Sequence, residues 1–391
     1  MEQFTFICPC VFGVESIVAE ELRALGAEDA RAENGRVLFS GDEAALARAN
    51  IGLRCAERVL LCLGEFEARS FEELFQGVKA LPWERFIGRA DAFPVKGWSL
   101  NSALHSVPDC QAIIKKAVVE RLKQKYHVEW FQETGAKFQI QFSILKDRVS
   151  VSLDTSGEGL HKRGYRKDAN AAPLKETLAA ALCSLARVYP DRAFCDPMCG
   201  SGTILIEAAL LARNIAPGVN RRFAAESWHL APGIWKNARE EARAKETREA
   251  PEIFGYDIDE AAVALARENA GKAGVGDLVR VARQDLRAFS PAQPRGTVVT
   301  NPPYGERMLD VQAAEELYGV LGKVLLKLPD WRVYVISPSE RFETLFGRRA
   351  DRRRKLYNGM IKCELFQYYR RRDAPAGDAH GGPGRPPRAA R

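Results

Sequence analysis

Asn301-Pro302-Pro303-Tyr304, running on into Gly305-Glu306-Arg307, carries the residue types needed for one demanding reaction, alkylation of an exocyclic amine. The lone pair of an amine on a nucleobase is delocalised into the ring, so it attacks an electrophile poorly unless something localises it. The Asn301 side-chain oxygen and the Pro302 carbonyl can each accept one amine hydrogen, fixing the nitrogen and drawing charge toward it as the transition state forms. The prolines fix φ and stiffen the loop. Tyr304 offers a ring face for a base, worth roughly 1–3 kcal/mol per stacked base. Taken alone, the tetrapeptide is equally a proline-rich turn after a strand, and it does not distinguish guanine, adenine or cytosine amines.

The elements that would position this loop are legible around it. The apolar run Val298-Val299-Thr300 puts the loop at the C-terminal edge of a strand, where open parallel sheets bind ligands. Upstream, residues 193–203 read Ala-Phe-Cys-Asp-Pro-Met-Cys-Gly-Ser-Gly-Thr and are followed by the apolar residues 204–211. Strand, small-residue loop and apolar helix in that order let backbone approach a ligand closely. Thr203 and Ile204 after Gly202 exclude a Walker A loop, and Leu205 stands where a dinucleotide fingerprint needs its third glycine. Asp196, just before the loop, points to a ligand with a positive group. Two more strands end in acids: residues 253–259 at Asp257 and Asp259, and residues 279–285 at Asp285. Asp257 is the better placed to hydrogen-bond a ribose diol. A single Asp after a strand is usually a helix cap, but three acidic strand ends in order before Asn301 are hard to assign to capping.

The first half alternates differently. Strands at residues 4–7, near Ala30, at 37–39 and at 58–63, with helices at 14–25 and 43–50, give the βαββαβ order of a ferredoxin-like domain over residues 1–65. An α+β unit follows over 66–155, with a strand at 92–95, a basic helix after Pro108 and an antiparallel pair at 138–144 and 148–153. Residues 156–170 are polar and basic and read as a linker. The catalytic half is expected over 171–373, with a charged surface helix at 235–249 and a closing hairpin about Asn358-Gly359. The Gly-, Pro-, Ala- and Arg-rich tail, 374–391, is expected to be disordered.

Here the chain resembles known families. Phe93-Pro94-Val95-Lys96-Gly97-Trp98-Ser99, then Leu104-His105-Ser106-Val107-Pro108-Asp109-Cys110-Gln111, then Lys115-Lys116, resemble a THUMP RNA-binding domain. The run Asp-Pro-x-Cys-Gly-Ser-Gly-Thr is similar to the signature of class I methyltransferases that use S-adenosylmethionine. His161-Lys162-Arg163-Gly164-Tyr165-Arg166 and residues 214–223 match segments of bacterial enzymes joining the two. The resemblance implies an α/β protein with N-terminal ferredoxin-like and THUMP domains and a Rossmann-like catalytic domain built on a seven-stranded mixed sheet. It implies that Asp196, Pro197, Cys199, Gly200, Ser201, Gly202, Thr203, Asp257, Asp285 and Asn301 hold the cofactor. Asn301, Pro302, Pro303 and Tyr304 would then surround the amine, and Lys96, Lys115, Lys116, Arg163 and Arg166 would reach RNA. The implied activity is methylation of guanine N2 in RNA, with 23S ribosomal RNA as the first expectation and tRNA as an alternative. Adenine-N6 methylation of RNA or DNA, and a non-catalytic RNA-binding protein with a degenerate catalytic half, stay open; protein glutamine methylation would leave the THUMP domain without a role. A sulfonium is already a good methyl donor, and the amine becomes acidic once methylated, so the reaction calls for no metal.

Composition agrees with this class. At 391 residues the chain can hold several cores, and 46% hydrophobic with 28% charged residues reads as soluble and cytoplasmic. No apolar run approaches the roughly 20 residues of a membrane span, and Met-Glu-Gln-Phe lacks the basic-then-apolar pattern expected of a secretion signal. The nine cysteines include no C-x-x-C pair and the five histidines no ligand spacing, so neither metal nor disulfide framework is expected. A net charge of +7 favours a polyanionic partner. Lys115 and Lys116, and the run Arg348, Arg349, Arg352, Arg353, Arg354 and Lys355, are the obvious phosphate candidates, with solvated faces as the plain alternative.

Overall fold

The computed structural model describes residues 3–166, 174–304 and 311–369; Gly305-Glu306-Arg307, the end of the predicted linker and the tail from 374 lie outside the described residues. The first half runs β1 (Phe4–Pro9), α1 (Glu15–Ala24), β2 (Arg31–Glu33), β3 (Arg36–Gly41), α2 (Glu43–Gly52), β4 (Leu60–Glu67), α3 (Phe71–Lys79), β5 (Val95–Leu100), α4 (Val107–Tyr126), β6 (Ile140–Leu145) and β7 (Arg148–Asp154). Local chemistry sets the helix starts. The Asp42 side chain accepts from Ala45 N to cap α2, and Ser70 with Glu73 forms a capping box on α3.

The expected boundary at residue 65 falls inside β4. That strand runs on to Glu67 and pairs with β1 on one side and β7 on the other, so the two predicted domains share one seven-stranded sheet in the order β2-β3-β1-β4-β7-β6-β5. Joining the two units in this way leaves neither with a bare central edge. The register sorts residues by face. Phe6, Leu61, Leu153, Ile140 and Val95 are partnered in turn across the sheet on its apolar side, while Thr5, Cys62, Ser152, Gln141 and Lys96 line up on the other. The strand expected at 92–95 begins instead at Val95 and extends to Leu100, with Ala92 making only an isolated bridge to Lys137. Pro94 has no N–H to donate to a ladder.

The second half runs α5 (Glu176–Ala186), β8 (Ala193–Asp196), α6 (Thr203–Ala212), α7 (Ile234–Ala244), β9 (Ile253–Asp257), α8 (Glu260–Lys272), β10 (Val279–Arg283), β11 (Gly296–Thr300), α9 (Val311–Leu325), β12 (Trp331–Ser337), α10 (Phe342–Phe346), β13 (Arg352–Asn358) and β14 (Ile361–Tyr368). Its sheet has the order β10-β9-β8-β11-β12-β14-β13, parallel through β12 and closed by the antiparallel β14. This is the seven-stranded mixed sheet that the resemblance implied.

The joint is not a solvated linker. Thr155 and Ser156 are buried: Asn50 Nδ2 donates to Thr155 Oγ1 (2.9 Å), Ser156 Oγ donates to Asn50 Oδ1 (2.7 Å), and Val59 N donates to Ser156 Oγ (2.9 Å). Residues 213–251 then clamp the halves together. Ala225 N donates to Thr155 O, and Gly218 N to Ile51 O. Trp228 stacks on Phe138 at 4.5 Å and donates to Lys137 O. The helix expected at 235–249 is α7, ending at Ala244, and it is not merely a surface element because Trp235 is buried and stacked on Phe223 at 5.3 Å. At the far edge Arg354 Nε donates to Gly13 O (2.7 Å), and a Cβ on Gly13, whose φ is +94°, would lie 2.4 Å from Lys355 O. One member of the predicted phosphate-binding arginine run is therefore a fastener between halves.

Glu57 ties the joint down electrostatically. Its carboxylate accepts from Thr177 Oγ1 (2.6 Å), pairs with Lys175 (3.2 Å) and faces His161 (3.3 Å). Burial would raise its pKa, but the hydrogen bonds of His161 and Thr177 and the Lys175 charge outweigh that and bring it from 4.5 to about 2. A depressed carboxyl contributes stability above its unfolded pKa and loses it as pH falls toward the folded value. Glu57→Gln should therefore lower unfolding free energy by roughly 2–3 kcal/mol at pH 7. In denaturant titrations that gap should close as the pH falls from about 4.5 to 2; a constant gap would mean the charge is not what Glu57 contributes.

Candidate active site

In the order β9-β8-β11-β12 the chain steps outward from β8 in both directions, so β8 and β11 flank the point where a crevice opens at the C-terminal ends of the strands. Asp196 ends β8 and Asn301 follows β11, with Cys195 and Val298 in register. The loop after β8 must turn sharply without side chains. Gly200 and Gly202 both have positive φ (50° and 80°), and a Cβ on Gly202 would meet Ala266 Cβ at 3.0 Å. Gly200 N donates to Asp257 Oδ2 (2.9 Å), which carries the end of β9 onto the loop. Asn269, fully buried in α8, donates to Ser201 O (3.0 Å) and so fixes the loop from below. Nothing in the sequence marks Asn269, since it lies mid-helix with no motif around it.

Asp196 is 2% exposed. Burial, with the nearby Asp257 charge, pushes its carboxyl from 3.8 up to about 7. Such a carboxylate is short of a cation. Asp257 is half-buried and its Oδ1 accepts from Asp259 N, while Asp285 sits just beyond β10, where it accepts from Arg287 N (2.7 Å) and pairs with Arg287 at 3.0 Å. The strand expected to end at Asp285 ends at Arg283, and the chain turns into a short 3-10 segment, Leu286–Ala288, which the Asp285 side chain caps.

Asn301, Pro302, Pro303 and Tyr304 lie together at the end of β11. Tyr304 Oη donates to Asn301 Oδ1 (2.5 Å), and Tyr318 Oη donates to Pro303 O (3.2 Å). No hydrogen bond reaches the Pro302 carbonyl among the described residues. The open stacking platform expected at Tyr304 is not what this conformation displays. Its ring packs against the main core, Cys363 lies 3.9 Å from its hydroxyl, and burial raises the phenol pKa.

Two predicted RNA contacts are interior instead. The Arg163 side chain is 3% exposed and pairs with Glu207 of α6 at 3.4 Å, with further bonds to Leu160 O and Arg54 O. Arg166 pairs with Glu176 at 2.9 Å and donates to Thr203 Oγ1 (3.2 Å), so it braces the first residue of α6 behind the glycine loop. Lys115 is committed to Glu133 (2.6 Å) and Phe93 O, and lies 3.6 Å from the centre of the Phe93 ring. Lys116 lies 5.7 Å from the Phe75 ring, while Lys96 lines a separate cleft. Among the described residues no cluster of His, Cys, Asp and Glu could hold a metal, and no helix is long and apolar enough to cross a membrane.

Comparison with known proteins decides the class. Residues 163–367 match the RMKL-like methyltransferase domain, residues 5–60 the RlmL ferredoxin-like domain and residues 68–154 the THUMP domain. The chain belongs to this methyltransferase family. It is 46% identical over 373 residues to YpsC of Bacillus subtilis (strain 168), which carries a provisional RNA methyltransferase name, covering 94% of this chain and 97% of that protein. It is 35% identical to the ribosomal RNA large subunit methyltransferase K/L of Cellvibrio japonicus (strain Ueda107), over 93% of this chain but only 51% of that longer protein. The crystal structure of SMU.472, provisionally named a methyltransferase and complexed with SAH, superposes with TM-score 0.90 at 42% identity, covering 96% of this chain and all of that one. The enzyme is a methyltransferase dependent on S-adenosylmethionine, and the residues fit that group: a cation-seeking Asp196, a glycine loop open to close approach, and Asp257 at the next strand end.

If Asp196 takes the ammonium of the cofactor, proton and ligand compete for it. Cofactor affinity measured by calorimetry should then be greatest above pH 7 and fall below it by up to about tenfold per pH unit. Asp196→Asn should bind weakly at every pH and flatten the profile; a wild-type profile that is already flat would remove Asp196 from the contact. Asp257→Ala should weaken cofactor binding by roughly 1–3 kcal/mol, the cost of leaving a buried polar partner unmade.

Proposed function

We propose that this methyltransferase transfers the methyl group to the N2 amine of a guanine in RNA, with large-subunit ribosomal RNA as its first substrate. The observation that carries the reading is structural: a THUMP domain is locked by buried hydrogen bonds to a strand-edge site whose two oxygens match the two hydrogens of an amine. A paired base would have to leave its helix to reach that edge, at a cost of a few kcal/mol. Unpaired features of folded RNA avoid much of that cost and are where proteins usually read bases. The name of the K/L relative supports the ribosomal choice over tRNA.

The bound cofactor supplies an electrophilic methyl group. Asn301 Oδ1 and Pro302 O accept the amine hydrogens, align the nitrogen lone pair, and stabilise positive charge as it builds on nitrogen. To admit the base, Asn301 must exchange its bond from Tyr304 for one from the amine. Tyr318 and Ser337 hold the loop through Pro303 O, with Ser337 Oγ 3.3 Å from Tyr318 Oη. As nitrogen gains the methyl carbon, the carbon–sulfur bond of the sulfonium would break and leave a neutral thioether, and the proton on the now acidic amine would leave to water.

Incubation with labelled cofactor and ribosomal RNA, tRNA or duplex DNA, followed by digestion to nucleosides, should place label in N2-methylguanosine from RNA. Label in N6-methyladenine, or a preference for DNA, overturns the guanine assignment. Asn301→Ala should abolish transfer while cofactor affinity stays near wild type. Tyr304→Phe should keep transfer of wild-type order, because it only removes a competitor for Asn301, whereas Tyr304→Ala should lose about tenfold or more with the ring. Equal damage from both would make the hydroxyl the active part.

A further inference from the structure

The exposed side of the first sheet carries a second candidate site, of which only Lys96 was among the expected RNA contacts. A cleft of about 550 Å³ opens between the THUMP part and the clamping segment, lined by Arg58, Lys96, Lys137, Gln139, Gln141 and Glu158 among others. Lys137, Gln139 and Gln141 are spaced by two along an extended segment, and Lys96 lies directly opposite Gln141 in the β5–β6 ladder, so the four converge from two neighbouring strands. None of these four side chains has a hydrogen-bond or ion-pair partner among the described residues. The other charges are spoken for: Arg58 pairs with Asp154 and donates to Gly157 O, and Glu158 pairs with Lys162 at 3.3 Å. Two residues beyond Lys96 on the same face, Trp98 is 46% exposed, opposite the small Ser143.

From this juxtaposition we infer that the cleft binds an unpaired segment of the RNA substrate, a proposal that rests on the RNA reading above. Lys96 and Lys137 would hold a phosphate, the Gln139 and Gln141 amides would hydrogen-bond a base edge or sugar, and Trp98 would stack the neighbouring base. The chemistry favours single strands over duplex. The volume suits about one nucleotide unit, stacking needs an exposed base face, and two cations beside two neutral amides suit a backbone with bases splayed from it. The sequence expectation named Lys96 for RNA together with Lys115 and Lys116 of α4 and Arg163 and Arg166; the cleft keeps Lys96 and adds Lys137, whereas Lys115 is spent on Glu133 and the Phe93 ring.

The test is fluorescence anisotropy of a labelled single-stranded RNA against the full-length protein across a salt series, with the matching duplex as competitor. Lys96→Ala with Lys137→Ala should weaken binding by about tenfold or more and make the plot of log affinity against log salt shallower by about 1.4, the loss of two phosphate contacts on a single strand. Trp98→Ala should lose roughly five- to one-hundredfold while Trp98→Phe recovers most of it. Affinity for S-adenosylhomocysteine should be unchanged in all three, which shows that the fold and the cofactor pocket are intact. Wild-type RNA binding that persists with the same slope in the double variant overturns the cleft but leaves the RNA function standing. Failure of the wild-type protein to bind RNA at all overturns both.

Discussion

The buried pair between Arg163 and Glu207 is the constraint on which the rest of this enzyme depends. Arg163 comes from the joint between the halves, and Glu207 from the helix that begins at the glycine loop, and both side chains are almost fully withdrawn from water. Breaking such a pair by removing one partner costs about 3–5 kcal/mol, because the other charge is left uncompensated in a low-dielectric interior. Arg163 also donates to Arg54 O in the first half, while Tyr165 donates to Glu207 at 3.1 Å. Burial works against the Arg54 charge, which sits beside Glu21 and Glu207. Loss of any one member therefore leaves the others with an uncompensated charge or an unmade bond in the interior.

That interdependence explains why the two halves are not beads on a string. The first sheet ends its central pairing with Asp154, and the next residues, Thr155 and Ser156, are already partners of Asn50 and Val59. The clamping segment returns from the catalytic half to Ile51, Thr155 and Lys137, and Arg354 closes the opposite edge on Gly13. An RNA held by the first sheet is consequently held at a fixed distance from the glycine loop and Asn301. Positioning of this kind removes orientational freedom before the chemistry begins, which is where much of the rate of a methyl transfer can be gained.

Much of the candidate site's placement at the strand ends was legible because its signals are local. A strand ending in Asp196 before Cys-Gly-Ser-Gly-Thr, a second ending in Asp257 and a third followed by Asn-Pro-Pro-Tyr each lie within about ten residues of sequence. The sheet order that gathers them follows from the handedness of parallel crossovers. What failed was long-range or depended on pairing. The continuity of β4 with β7 joins residues about ninety apart and has no local signature. Arg163, Arg166 and Lys115 look like RNA contacts when cations are counted, yet each is committed to a carboxylate that lies 18 or more residues away or on another element. Lys96 and Lys137 look no different in sequence and are unpaired among the described residues. Net charge is a property of the chain, whereas affinity for phosphate belongs to the cations left without partners once the chain has folded.

The same distinction between a group and its partner applies at Asn301. Its side-chain oxygen is half-withdrawn from water and would carry a desolvation cost if left unmade, so the protein supplies a donor from three residues away in Tyr304. An amine that replaces the phenol exchanges one hydrogen bond for another, and the net cost of the exchange is only the difference between two terms of roughly 0.5–1.5 kcal/mol each. The Pro302 carbonyl, which accepts no hydrogen bond among the described residues, would gain one. On the proposed reading, binding the substrate would thus cost the loop little, while the transition state, in which the nitrogen becomes positive, would strengthen both bonds at once. A loop with fixed φ at two successive prolines can keep those oxygens aimed through the exchange, which is the physical reason for proline at these positions rather than a flexible polar pair.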